Sequence, residues 1–133
     1  MNWLFKEEPG NYSYDDLVRD GKTSWTGVKN PLAQKHLRSV RKGDRIFFYH
    51  TGDVKAVVGI ARASGDAYQD PADTSGKLYA VDVAPVRKLK LAVPLSAVKA
   101  DRFFATFSLT RMPRLSVMPV SDEQWERIEA MSG

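Results

Sequence analysis

The sequence predicts an α+β fold, a small mixed β-barrel with short helices packed on its outside. Two observations indicate this class. The segments follow the order strand, helix, helix and then mostly strands, and alternating β-α-β units are absent, so a Rossmann-type parallel sheet is not expected. The 133 residues, of which 43% are hydrophobic, suit a single domain over 1–133 with one core and room for one site.

The amino-terminal third predicts a buried strand, a short helix and a loop. Residues 2–5 form an apolar run typical of a strand that is buried on both faces. Ser13 is a helix cap, and Gly21 ends the helix that it starts. Trp25 follows between small polar residues and glycine. This context predicts that Trp25 lies in a loop, outside the core.

A second helix is the clearest local pattern. Asn30 is a cap and Pro31 suits the first helical position, so we expect a helix to about Arg41. One side of this helix is apolar and includes Leu32 and His36, and the opposite side is basic. Between Lys29 and Arg45 there are six basic residues and one acidic residue, so this segment alone accounts for the net charge of +4. Clustered positive charge is typical of a surface that meets phosphates.

The remaining segments predict strands with short helices between them. Residues 45–50 and 56–63 are strands, and Gly59 marks a bulge in the second. Residues 64–77 form a long loop and residues 78–86 another strand. A helix over 94–100 and a turn capped by Asp101 follow. A last strand over 114–119 leads to a terminal helix capped by Ser121 and Gln124.

Several classes of function have no support in the sequence. The chain has no cysteine and two histidines, so a thiolate metal site is excluded, and we expect no metal and no cofactor. Phosphate-loop, dinucleotide and serine-nucleophile motifs are absent, so we expect no catalytic residues. No apolar run approaches the ~20 residues of a membrane span, and the first residues lack the pattern of a signal peptide. We therefore expect a cytoplasmic monomer without a membrane partner.

Several motifs in order resemble the EVE-domain family over essentially the whole chain. The similar segments are Trp3-Leu4-Phe5-Lys6, Glu8-Pro9, Tyr12-Ser13, Asp16-Leu17, residues 25–30 (Trp-Thr-Gly-Val-Lys-Asn), Leu37-Arg38, Gly43-Asp44, Phe47-Phe48-Tyr49-His50, residues 58–61 and residues 115–120. The resemblance implies a PUA-like β-barrel related to the YTH readers of methylated adenine in RNA. It also implies recognition of modified bases, particularly modified cytosine in DNA, and restriction-type nucleases as candidate partners. Glu7 departs from the family, where many members have a small hydroxyl residue.

The predicted ligand is a flipped-out, modified base of a nucleic acid. Such a base recovers its lost stacking on aromatic faces, while polar groups contact its edge and Lys and Arg contact the phosphates. The candidate base-pocket residues are Trp25, Asn30, Tyr49, His50, Tyr68, Lys6, Glu7 and Ser116. The candidate phosphate-binding residues are Lys29, Lys35, Arg38, Arg41, Lys42 and Arg114. Two alternatives remain: a module that binds unmodified or methylated RNA, and a nucleobase or nucleotide hydrolase that uses His50 and Glu7.

Overall fold

A single curled sheet of seven strands forms a half-barrel. The computed structural model describes residues 1–133. The strands are β1 (Asn2–Glu7), β2 (Thr23–Trp25), β3 (Arg45–His50), β4 (Ala56–Ala63), β5 (Tyr68–Gln69), β6 (Tyr79–Pro94) and β7 (Val117–Val120). Their order is β2-β6-β4-β3-β1-β7, and β5 pairs with β6. The β1–β3 pair is parallel and the other pairs are antiparallel. The predicted α+β class with a mixed sheet is confirmed.

Five short helices and one 3₁₀ turn accompany the sheet. They are α1 (Tyr14–Asp20), α2 (Pro31–Arg38), α3 (Leu95–Ala100), the 3₁₀ turn (Arg102–Phe104), α4 (Ser108–Arg111) and α5 (Asp122–Met131). Capping boxes at Ser13 and Ser121 confirm two predicted helix starts. At the third, the Asn30 side chain accepts the Ala33 N–H at 3.0 Å. None of these helices has the length and apolar character needed to cross a bilayer.

The hydrophobic core is built on β1. Its side chains Trp3, Leu4 and Phe5 are at most 2% exposed, which confirms a strand buried on both faces. On the neighbouring strand, the Phe47 ring stacks on Trp125 with centroids 3.6 Å apart. Trp3 and Trp125 are therefore both core residues.

The predicted loop over 64–77 contains the two-residue strand β5, which pairs with β6. Three predicted boundaries were also wrong, each for a local reason. Helix α2 ends at Arg38, because the Ser39 and Val40 N–H groups bond to carbonyls three residues back and tighten the last turn. Strand β6 continues beyond residue 86 to Pro94, because it keeps pairing with β4 through Lys88 and Val93. The last strand begins at Val117 instead of residue 114, after a turn in which the Leu115 N–H bonds to the Met112 carbonyl.

Trp25 is the largest correction to the sequence-based expectations. It ends strand β2, where it pairs with Val81, and its side chain is 6% exposed. The indole packs between Phe5 and Phe48, with both ring centroids 5.3 Å away. The polar neighbours of Trp25 led to the wrong prediction of a loop. Consecutive side chains of a strand point to opposite faces, so an exposed Ser24 is compatible with a buried residue next to it.

Hydrogen bonds at Asp44 and close packing at Gly59 stabilise the sheet around this core. Asp44 accepts hydrogen bonds from the Trp3 indole, the Arg41 amide and the Met1 ammonium, at 2.9, 2.9 and 3.0 Å. Gly59 lies at the predicted bulge in β4, where the pairing with β3 and β6 shifts. A Cβ at Gly59 would lie 2.6 Å from the Tyr14 ring, so a side chain at this position would force the ring or the strand to shift.

Candidate nucleic-acid interface

The carboxyl ends of β1 and β3 lie side by side and position the candidate site. These strands run parallel, and Lys6 pairs with Tyr49 while Glu7 pairs with His50. Consecutive residues of a strand point to opposite faces. Lys6 and Glu7 accordingly line two different cavities, one on each side of the end of β1.

The Trp25 cavity is a concavity of about 280 Å³ on the Glu7 side. It combines two aromatic residues with polar side chains: its lining residues are Glu7, Asn11, Tyr12, Thr23, Ser24, Trp25 and Thr26. Its volume is close to the lower limit of small-molecule sites, about 300 Å³. A planar ring with a polar edge matches this lining chemically.

Trp25 serves both the core and the cavity. Its indole packs against Phe5 and Phe48, the residue is 6% exposed, and it is one of the residues that line the cavity. A tryptophan fixed by packing on two rings offers a preorganised stacking surface. Trp25 therefore lies beside a concavity, at the end of a strand and not in a loop. Its role in binding a base stays a prediction.

Tyr12 is the second aromatic residue of this cavity, and the sequence did not single it out. Its hydroxyl donates a hydrogen bond to Asp20 at 2.9 Å. Burial and this hydrogen bond raise the pKa of Tyr12. Asn11, Thr23, Ser24 and Thr26 were missed as well. The available signal was the Pro9-Gly10 turn, which returns the chain to the end of β1.

The lysine cavity lies on the Lys6 side and measures about 260 Å³. Lys6, Lys55 and Lys99 line it together with Tyr49, which is 3% exposed. The Lys6 ammonium lies 5.5 Å from the centre of the Tyr49 ring and donates to the Pro113 carbonyl at 3.0 Å. Lys6 and Tyr49, which were both predicted for the base pocket, thus line one cavity, and Trp25 lines another.

Asn30 and Arg114 meet in a third cavity of about 350 Å³, here called the Asn30 cavity. It also contains Leu32, Arg111 and Pro113, and Pro113 borders the lysine cavity too. The Asn30 side-chain oxygen caps helix α2. The structure therefore places Asn30 with a predicted phosphate ligand and not with the Trp25 cavity.

Three predicted pocket residues line none of these three cavities. His50 Nε2 accepts the Tyr14 N–H at 3.1 Å, and burial lowers the pKa of His50, which favours the neutral ring. The Tyr68 hydroxyl donates to Asp82 at 2.6 Å and lies 3.3 Å from the Ser24 hydroxyl at the rim of the Trp25 cavity. Ser116 contributes its backbone carbonyl, which accepts the Lys6 N–H at 2.9 Å.

The predicted phosphate ligands on and around α2 are exposed. This group comprises Lys29, Lys35, Arg38, Arg41 and Lys42. Arg38 lies 5.7 Å from the centre of the Tyr79 ring, and Arg41 lies 3.8 Å from Asp66. Lys29, Lys35 and Lys42 have no carboxylate within 4.0 Å. Exposed positive charge therefore lies on α2 and on the residues directly before and after it.

Comparison with known proteins identifies related chains. Thymocyte nuclear protein 1 of Gallus gallus is 29% identical over 94% of this chain, and the human protein is 27% identical over the same share. This chain spans 66% of the length of the chicken protein and 71% of the human protein. The chain thus corresponds to about two thirds of the length of each of these relatives.

Solved structures share the fold closely. A protein from Rhodopseudomonas palustris, determined by NMR, superposes with a TM-score of 0.94 at 43% identity, covering 99% of this chain and 92% of that one. Human THYN1 in complex with DNA containing 5-methylcytosine superposes with a TM-score of 0.88 at 25% identity, covering 98% and 96%. Residues 1–131 match the sequence profile of the EVE domain. This chain therefore belongs to the EVE domain family.

Proposed function

We propose that this EVE domain is a non-enzymatic DNA-binding module that holds a flipped-out modified cytosine in the Trp25 cavity. One observation carries the proposal: Trp25, Tyr12 and Glu7 line the same concavity, and one oxygen of the Glu7 carboxylate accepts the Glu8 N–H at 2.9 Å, which leaves the other oxygen for a ligand. Binding of 5-methylcytosine DNA by the related human THYN1 supports the same class of ligand.

The energetics of base flipping favour such a cavity. Extruding a base from a duplex costs a few kcal/mol, and stacking on an aromatic side chain returns about 1–3 kcal/mol per base. Trp25 is fixed by Phe5 and Phe48, so little side-chain entropy is lost when a base stacks on it. The aromatic lining therefore offsets much of the cost of flipping.

The polar lining favours cytosine. A carboxylate is an acceptor only, and the exocyclic amine of cytosine is a donor that Glu and Asp side chains accept from. Glu7 provides that carboxylate, while the hydroxyls of Thr23, Ser24 and Thr26 are able to donate to ring acceptors. In this proposal Glu7 contacts the amino edge of the base.

The arrangement of His50 supports a binding role over hydrolysis. A histidine that acts as a general base needs a free nitrogen near a nucleophile. His50 Nε2 already accepts a backbone N–H, and His50 does not line the cavity that contains Glu7. The two residues named for hydrolysis thus do not face one ligand. A restriction-type nuclease as partner remains a prediction.

Titration of one duplex sequence in three forms tests the proposal. The forms are unmodified DNA, DNA with 5-methylcytosine at one position, and RNA, with fluorescence anisotropy as the readout. We expect the modified DNA to bind most tightly. Equal affinity for the two DNA forms would contradict base recognition, and tightest binding of the RNA would favour the RNA-binding alternative.

A further inference from the structure

The lysine cavity is lined by three lysines and by no acidic residue. Lys6, Lys55 and Lys99 line it, and none of the three has a carboxylate oxygen within 4.0 Å. No acidic residue is among its lining residues. Two acidic residues lie on adjoining surfaces. Asp53 lines a neighbouring concavity with Lys55 and Lys99, and the Glu8 carboxylate lies against Gly52, which lines the lysine cavity. Such a concentration of ammonium groups favours an anionic ligand.

Lys6 is the innermost of these three lysines. Its side chain is partly buried, and burial lowers its pKa. An ammonium group has three N–H donors, and one of them bonds to the Pro113 carbonyl. Because a partly desolvated cation is costly without an opposite charge, an anion in the cavity would relieve this cost.

The backbone holds the two outer lysines in a fixed frame. Lys55 adopts a φ of +48°, a left-handed conformation that is uncommon for a residue with a side chain. Its carbonyl accepts the Leu95 N–H at 2.8 Å, which ties this turn to the start of α3. Helix α3 carries Lys99 one turn later. The turn and the helix thereby place both lysines at one cavity.

We propose that the lysine cavity binds a phosphate of the nucleic-acid backbone beside the base held in the Trp25 cavity. This inference rests on the proposed function. Lys6 and Glu7 are consecutive in β1, so the two cavities are separated by a single strand. A base inserted on the Glu7 side brings the backbone of its strand to the end of β1, where Lys6, Lys55 and Lys99 contact the phosphodiester. Pro113 extends this basic surface to Arg111 and Arg114 of the Asn30 cavity.

The salt dependence of binding tests the proposal. The double variant Lys55→Gln/Lys99→Gln removes two charges from the lysine cavity and leaves the partly buried Lys6 intact. The matched control, Lys77→Gln/Lys90→Gln, removes two charges from exposed lysines that line neither cavity. We expect the first variant to weaken binding to modified and unmodified duplexes by the same factor, on the order of tenfold, and to reduce the slope of log K against log salt by about 1. A slope equal to that of the control would overturn the proposal.

Free phosphate provides the second arm of the experiment. We expect inorganic phosphate to shift the NMR amide signals of Thr51, Gly52 and Lys55 in the wild type and not in Lys55→Gln/Lys99→Gln. If it does so while the salt slope for DNA is unchanged, the cavity binds free phosphate and the backbone assignment is overturned. Thermal unfolding of all variants verifies that each is folded.

The two proposals fail in different measurements. If the wild type does not distinguish modified from unmodified duplex, the proposed function fails, but the salt slope on unmodified duplex still tests the lysine cavity. If the preference for the modified base is present and the slope does not respond to Lys55 and Lys99, the phosphate assignment alone fails.

Discussion

Lys6 and Glu7 are adjacent in β1, yet they line cavities on opposite sides of that strand. In the proposed complex, the Lys6 ammonium contacts a phosphate of the nucleotide and the Glu7 carboxylate contacts the edge of its base. The carboxylate suits the amino edge of a base, and the ammonium suits a phosphate. The two side chains face different cavities because consecutive side chains of a strand point to opposite faces.

The contribution of Glu7 is measurable by truncation. We expect Glu7→Ala to weaken binding of 5-methylcytosine DNA by about 1–3 kcal/mol, the usual value of a base-edge contact. The free energy of unfolding should change by less than about 0.5 kcal/mol, as for other partly exposed positions. Glu126→Ala, at an exposed position of α5, is the control for loss of negative charge. A loss of affinity as large in the control would show that Glu7 acts only through net charge.

Trp25 should affect both stability and binding. Because its side chain is 6% exposed and packs on two rings, we expect Trp25→Ala to lower the free energy of unfolding by about 3–5 kcal/mol. Trp25→Phe keeps an aromatic face and should retain more of both properties. Urea unfolding, together with binding measured under conditions where each variant is folded, separates the two effects. Normal affinity of a folded Trp25→Ala protein would exclude stacking on the indole.

The basic side of α2 should act independently of the base. We expect Lys35→Gln/Arg38→Gln to weaken binding to all duplexes alike and to reduce the salt slope by about 1 for each phosphate that is no longer neutralised. Arg41 is a poorer choice for this test, because Asp66 lies 3.8 Å from it. Unchanged salt dependence of the double variant would mean that this side of α2 faces solvent in the complex.

Replacement of Gly59 by alanine should destabilise the fold, and Gly65 offers a matched control. A Cβ at this position would meet the Tyr14 ring at 2.6–2.7 Å, and Tyr14 is 1% exposed with its hydroxyl bonded to the Ile60 carbonyl. We expect Gly59→Ala to lower the free energy of unfolding by about 1–3 kcal/mol. Gly65→Ala has open space around its Cβ and should be nearly neutral. Equal unfolding midpoints for the two variants in urea would contradict this packing.

Asp44 predicts a loss of stability in acid. Burial alone would raise its pKa, but hydrogen bonds from the Trp3 indole, the Arg41 amide and the amino terminus together hold the pKa of Asp44 below its ordinary 3.8. A depressed pKa stabilises the fold above the unfolded-state value, and this contribution is lost as pH falls from about 3.8 through the folded-state pKa. Asp44→Asn should therefore flatten the dependence of unfolding free energy on pH in this range. The exposed Asp53→Asn is the control, and a curve for Asp44→Asn that parallels the control would exclude this role.

The sequence predicts elements better than it predicts the assembled site. Ser13, Asn30 and Ser121 act through hydrogen bonds to residues three positions away, so local pattern is sufficient to find them. The Trp25 cavity depends instead on which face of β1 each residue occupies and on how the turn before α1 returns Asn11 and Tyr12 to it. Those relationships arise from pairing between distant strands, which no local spacing encodes. The sequence groups Lys6, Glu7 and Asn30 in one pocket, but the three residues lie in three different cavities.

The burial of Trp25 has a consequence for how specificity changes among related domains. The indole supports the hydrophobic core, so a replacement that alters ligand preference at this position also endangers folding. Glu7, Asn11 and Thr26 border the same cavity from partly or fully exposed positions and are free of that constraint. New ligand preferences in this architecture are therefore expected to evolve, or to be engineered, through Glu7, Asn11 and Thr26 while Trp25 is retained.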